Sequence, residues 1–125
     1  MVDDRVADTL IRIKNGYNAS KAEVLVTYSK LVIALLTVLK QEGYITSFKE
    51  QGRLILVQLK YTAKEPALSF VRSISKPSLR VYKGAKFLPN NRGMGITIVS
   101  TPKGLMTAKV AKSKNLGGEV MAEIY

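Results

Sequence analysis

The chain has 125 residues, 46% of them hydrophobic, and its 20 Lys/Arg against 9 Asp/Glu give a formal net charge of +11. A chain of this length forms one domain or two small lobes sharing an interface, and it is too apolar to be a disordered basic tail. It contains neither cysteine nor histidine, which excludes a disulfide scaffold and any thiolate or imidazole metal site, and leaves a charge that hardly titrates near neutral pH.

Asp8 lies in a segment whose apolar residues Val6, Leu10, Ile13 and Tyr17 recur on one helical face. Asp3 and Asp4 suit the start of that helix, and Asp8 precedes Arg12 by four residues, the favourable order for an ion pair. Gly16 and Asn18 end it. The same two aspartates stand where a secretory leader would be basic. The longest apolar run, residues 31–39, is broken by Thr37 and is far short of the ~20 residues that span a bilayer. The simplest expected location is therefore the cytosol, with an organelle that has its own translation system left open as a second location.

Residues 22–27 read as a short strand. Ser29 caps a second predicted helix over residues 30–42, which Gly43 stops. Its apolar stripe is wide (Leu31, Val32, Leu35, Leu36, Val38 and Leu39), and Ile33 falls on the otherwise polar side. Residues 44–50 and 53–61 read as strands joined across Gln51-Gly52. The second carries apolar residues on both faces, as expected of a sheet with helices on one side and a neighbour on the other. Residues 62–66 are the predicted linker.

Beyond it come short extended runs at 70–75 and 79–83, a turn cluster at 89–93, and a strand at 96–100. Thr107 caps a short helix that Asn115 closes, and Val120, Ala122 and Ile124 alternate in a last half-buried strand. The expected fold class is α+β in two small lobes. Residues 1–64 form an N-terminal α-β-α-β-β lobe, and residues 65–125 a C-terminal lobe, mainly β with one short helix.

The charge divides along the same line. Residues 1–65 hold ten Lys/Arg and seven Asp/Glu, while residues 66–125 hold ten and two, the two being Glu119 and Glu123. Solubility needs no such segregation, and a cationic half is the footprint of a polyphosphate partner.

Catalysis finds little support. No histidine is present to act as general base, and a Ser100–Lys103 dyad has nothing to fix its geometry. Paired carboxylates at Asp4 and Asp8 are explained by capping and by Arg12. Gly93-Met94-Gly95 precedes a strand, whereas a dinucleotide fingerprint precedes a helix. The chain is therefore expected to be no enzyme, with no cofactor, no metal, no small-molecule substrate and no membrane partner, since a basic amphipathic membrane helix is missing.

The most specific feature is Ser100, Thr101, Pro102, Lys103 and Gly104. Two hydroxyls, a cation and a glycine on a turn after a strand suit RNA, whose shallow minor groove shows 2′-hydroxyls and base edges. Lys76, Arg80, Lys83, Lys86 and Arg92 precede the turn, and Lys109, Lys112 and Lys114 follow it. Tyr82 is the candidate for stacking or hydrogen bonding, and Phe87 is expected in the core. Gly117 and Gly118 lead into the last strand as a bulge, or as a site of close approach to a ligand.

These segments resemble the bacterial-type small-subunit (30S) ribosomal protein eight family. The likeness runs through Val6-Ala7-Asp8, Arg12-Ile13-Lys14-Asn15 and Glu42-Gly43-Tyr44-Ile45. It is most specific in Ile74-Ser75-Lys76-Pro77-Ser78-Leu79-Arg80-Val81-Tyr82, in Gly93-Met94-Gly95-Ile96-Thr97-Ile98-Val99-Ser100-Thr101 and in Gly117-Gly118-Glu119-Val120-Met121-Ala122. The resemblance implies a structural, rRNA-binding protein of translation that binds the central domain of 16S-type rRNA directly and helps assemble the small-subunit platform. It implies RNA contacts at the 100–104 turn, the Tyr82 region, the turn before Glu119, and Arg12, Lys14 and Asn15 of the first helix. Ribosomal proteins five and twelve are the implied neighbours. The alternative is a non-specific basic nucleic-acid module of another fold.

The chain departs from the family pattern at four places. Pro102 replaces a usual serine, removing a hydroxyl and a backbone N–H. Arg5 replaces a usual proline. Val110 stands where a glutamate would complete a reciprocal cap with Thr107. The second helix is apolar rather than charged, so Ile33 lies either in a wider buried stripe or against a partner.

Overall fold

The computed structural model describes residues 5–76, 78–91 and 94–125. Asp3, Asp4, Pro77, Arg92 and Gly93, named above, lie outside the described residues.

Helix α1 (Arg5–Asn18) buries Val6, Leu10, Ile13 and Tyr17, the face that the periodicity predicts. Among the described residues no ion pair joins Asp8 to Arg12. Strand β1 (Glu23–Thr27) leads to α2 (Lys30–Gln41), which starts where the Ser29 hydroxyl accepts the Val32 amide at 3.0 Å. Ile33 is half-buried and packs on the core, so the wider stripe is what forms. Strands β2 (Ile45–Gln51) and β3 (Leu54–Leu59) make a hairpin around Gly52 and Arg53. The antiparallel sheet runs β1-β3-β2, and both helices pack on it.

The expected linker is instead a tight hairpin. Strands β4 (Tyr61–Thr62) and β5 (Glu65–Pro66) pair across Ala63 and Lys64, both with φ in the left-handed region (52° and 68°). That is the twist a two-residue hairpin needs, achieved here without glycine.

The second sheet is built around its last strand. Strand β10 (Gly118–Ile124) pairs on one side with β6 (Val71–Ser73) and β7 (Tyr82–Lys83), and on the other with β8 (Ile96–Thr101). Strand β9 (Gly104–Thr107) adds to β8. A 3-10 helix (Ala85–Phe87) follows β7. Helix α3 (Ala108–Ser113) covers one face, capped by the Thr107 hydroxyl, which accepts the Val110 amide at 3.3 Å.

One core crosses the line between the halves. Leu68, Ile98, Ala122 and Ile124 pack with the α1, α2 and first-sheet residues, while Leu88, Val99, Met106, Ala108, Ala111 and Val120 form a smaller cluster under α3. Val120 and Ala122 share strand parity, yet they enter different clusters. The reason is a bulge: Val120 faces Val99, but Ala122 faces Ile98, so Met121 is an extra residue that flips the strand. The alternation expected in this strand is therefore buried on two sides rather than one.

Three hydroxyl contacts link distant segments, and the last of them joins the two halves. Tyr17 donates to the Tyr44 carbonyl at 2.6 Å and accepts the Lys60 amide at 2.9 Å, and Tyr44 donates to the Ile124 carbonyl at 3.4 Å. Burial raises the pKa of both phenols above the ordinary 10.0.

Candidate nucleic-acid interface

The candidate residues from three separate stretches of sequence meet because β10 pairs with two strands at its start. Glu119 faces Tyr82 on one side and Ser100 on the other, and Ser100 faces Leu105. Directly opposed residues point to the same side of a sheet, so Tyr82, Glu119 and Ser100 form one row. Gly118 faces Lys83 in the next row. A shallow cleft of about 550 Å³ lies over these rows, lined by Tyr82, Lys83, Gly84, Ser100, Pro102, Gly117, Gly118 and Glu119.

The glycine pair is needed for internal packing. A Cβ at Gly118 would overlap the Ser100 carbonyl, and one at Gly117 would press on the backbone of Lys83 and Gly84. The close approach is to the flanking strands, and it lets both of them converge on the cleft.

The turn from β8 to β9 has Pro102 and Lys103 at its tip, between the paired Thr101 and Gly104. Proline suits the first tip position because its φ is preset. Thr101 is buried; its hydroxyl donates to the Gly104 carbonyl at 2.8 Å and accepts the Lys103 amide at 3.1 Å. The hydroxyl therefore builds the turn. Gly104 takes φ +114°, a value that side chains resist. Ser100, Pro102, Lys103 and the turn backbone are left facing outward. No hydrogen bond links Ser100 to Lys103 among the described contacts, so no dyad is assembled.

Arg80 and Glu119 form an ion pair at 3.0 Å, with side-chain exposures of 20% and 17%. This carboxylate holds a guanidinium beside the cleft. The buried Ser75 hydroxyl fixes the loop below it by accepting the Val81 amide at 2.9 Å, and Lys76 and Leu79 close its turn. Lys76, Lys83, Lys86 and Lys103 are exposed around this end of the sheet. Tyr82 is 68% exposed and available for stacking.

Phe87 is not in the core: it is 66% exposed, with the Lys86 ammonium 5.5 Å from its ring centroid. Leu88 takes the buried place instead. Two adjacent apolar residues in a tight turn do not both face inward, and here Leu88 is the one that does.

The helix candidates are divided. Arg12 and Asn15 line a groove of about 700 Å³ between α1 and β1, together with Lys21. Lys14 points elsewhere, its ammonium 5.9 Å from the Phe70 ring of the other half.

Comparison with known proteins shows the family. The family model described as ribosomal protein S8 matches residues 4–125. The chain is 46% identical to the small ribosomal subunit protein uS8 of Erythrobacter litoralis, over 98% of this chain and 97% of that protein. It is 45% identical to the uS8 of Vesicomyosocius okutanii, over 99% and 98%. It is 44% identical to that of Oleidesulfovibrio alaskensis over the full length of both. With an α+β fold, a lysine-ringed cleft and this end-to-end match, the chain belongs to the ribosomal protein S8 family.

Proposed function

We propose that this chain is a structural constituent of the small ribosomal subunit and works by binding rRNA rather than by catalysis. The observation that carries the reading is the row Tyr82–Glu119–Ser100 beside the Pro102–Lys103 turn, in the half of the chain that holds ten Lys/Arg against two Asp/Glu. The target is the central domain of 16S-type rRNA, and the consequence is early assembly of the platform in cytoplasmic ribosomes. The lobe of residues 65–125 holds RNA at the cleft, with Lys76, Lys83, Lys86 and Lys103 on phosphates. The lobe of residues 1–64 supports it and adds contacts from Arg12 and Asn15. Ribosomal proteins five and twelve are its neighbours. A rigid concave surface with outward backbone and short hydroxyls reads RNA shape, and the lysines supply affinity.

The test is a filter-binding comparison of a central-domain rRNA fragment with a random duplex of equal length. A preference of two orders of magnitude or more is expected; equal affinity would reduce the chain to a non-specific basic module. Thr101→Ala should lower affinity for the fragment more than Lys109→Ala does, because it disorders the turn that the RNA meets.

A further inference from the structure

We infer that Phe87 is a stacking platform for an unpaired nucleobase, extending the RNA-binding face beyond the cleft; the inference rests on the RNA-binding reading above. Phe87, 66% exposed, lies on a segment of otherwise cationic and small residues, Lys83, Gly84, Ala85 and Lys86. It is held there by structure. The Phe87 amide donates to the Gly84 carbonyl at 3.0 Å, closing the 3-10 turn, and buried Leu88 anchors the next residue under α3. The ring lies beside Gly84, which lines the cleft; a Cβ at Gly84 would sit 3.8 Å from the ring's Cδ2. The ring and the cleft therefore share the exposed backbone of Gly84. The Lys86 ammonium lies 5.5 Å from the ring centroid. A base stacked on the ring brings a phosphate one sugar away, within reach of that long cation.

The chemistry selects a nucleobase over an apolar protein surface. Every base offers a π-face to an aromatic ring, so stacking tolerates sequence, and the surrounding lysines favour polyanion over peptide.

The test exploits the absence of tryptophan from the chain. Phe87→Trp in the full-length protein places a single indole at the site. On titration with the central-domain fragment its emission should be quenched, and affinity should stay within twofold of the unmodified chain. A version of the fragment with its unpaired nucleotides base-paired should leave the emission unchanged. Phe87→Ala should weaken binding about tenfold with no change in salt slope, since no charge is removed. Phe87→Leu should not restore it. Wild-type affinity in Phe87→Ala, an indole that ignores the RNA, or full rescue by leucine would each overturn the inference, the last by assigning the residue to an apolar protein contact. If the unmodified chain shows no preference for the fragment, it is the RNA-binding reading that fails, and the same titration reads that separately.

Discussion

At the scale of single residues, two polar arrangements give sharp expectations. Glu119→Gln leaves the Arg80 guanidinium half-buried without its carboxylate, which should destabilise the chain by about 1–2 kcal/mol in a denaturant titration, less than a fully buried pair because both side chains retain some water. Tyr17→Phe removes one hydroxyl from two backbone partners, the Tyr44 carbonyl and the Lys60 amide, and should cost about 1–3 kcal/mol by the same assay. Both Tyr17 and Tyr44 have raised pKa values, so the folded state holds these protons more tightly than the unfolded chain does. Their contribution is fully present below pH 10 and is lost as pH rises through the folded-state values. Tyr17→Phe should accordingly flatten the fall in melting temperature above pH 10. Much at this scale was legible in the sequence: the helix faces, the Ser29 and Thr107 caps and the exposure of Tyr82 follow from spacing and residue type. The exposure of Phe87, the use of the Thr101 hydroxyl within its own turn and the departure of Lys14 from Arg12 and Asn15 do not. Each depends on which neighbour wins a place in three dimensions, and composition carries no record of that.

At the scale of elements, the β4–β5 hairpin is where local preference and tertiary structure conflict most. Ala63 and Lys64 both adopt left-handed φ, which is unfavourable for residues with a Cβ. Replacing them with Asn and Gly, as Ala63→Asn with Lys64→Gly, should stabilise the chain by about 1 kcal/mol, read as a rise in melting temperature. Residues 62–66 look like a polar linker in the sequence because neither Ala63 nor Lys64 advertises a turn. The β10 bulge was invisible for a related reason. Period-two alternation predicts one buried face, and only the pairing of Val120 with Val99 and Ala122 with Ile98 shows that Met121 turns the strand over. Deleting Met121 should leave Val120 opposite Val99 and Ala122 opposite Ile98, so both keep their faces, and the result should be a lowered melting temperature rather than loss of the folded chain.

At the scale of the whole molecule, the segregated charge predicts salt behaviour. If about five lysines neutralise phosphates, the logarithm of affinity should fall by about four to five per decade of salt, and Lys83→Gln should reduce that slope by about one. The order of the three helices and the longer strands, the α+β class and the uneven charge were all legible, because length, periodicity and charge are properties of the chain as written. The core that joins the halves was not, since Leu68, Ile98, Ala122 and Ile124 look from sequence like members of their own lobe.

Strand β10 lies in the middle of its sheet but beyond all its partners along the chain. During synthesis, β6, β7 and β8 therefore emerge without the strand that joins them, and α1 and α2 wait for Ile124 to complete their packing. Vectorial folding must end in one late closure, and a message cut before codon 118 should give a nascent chain that chaperones hold and proteases clear.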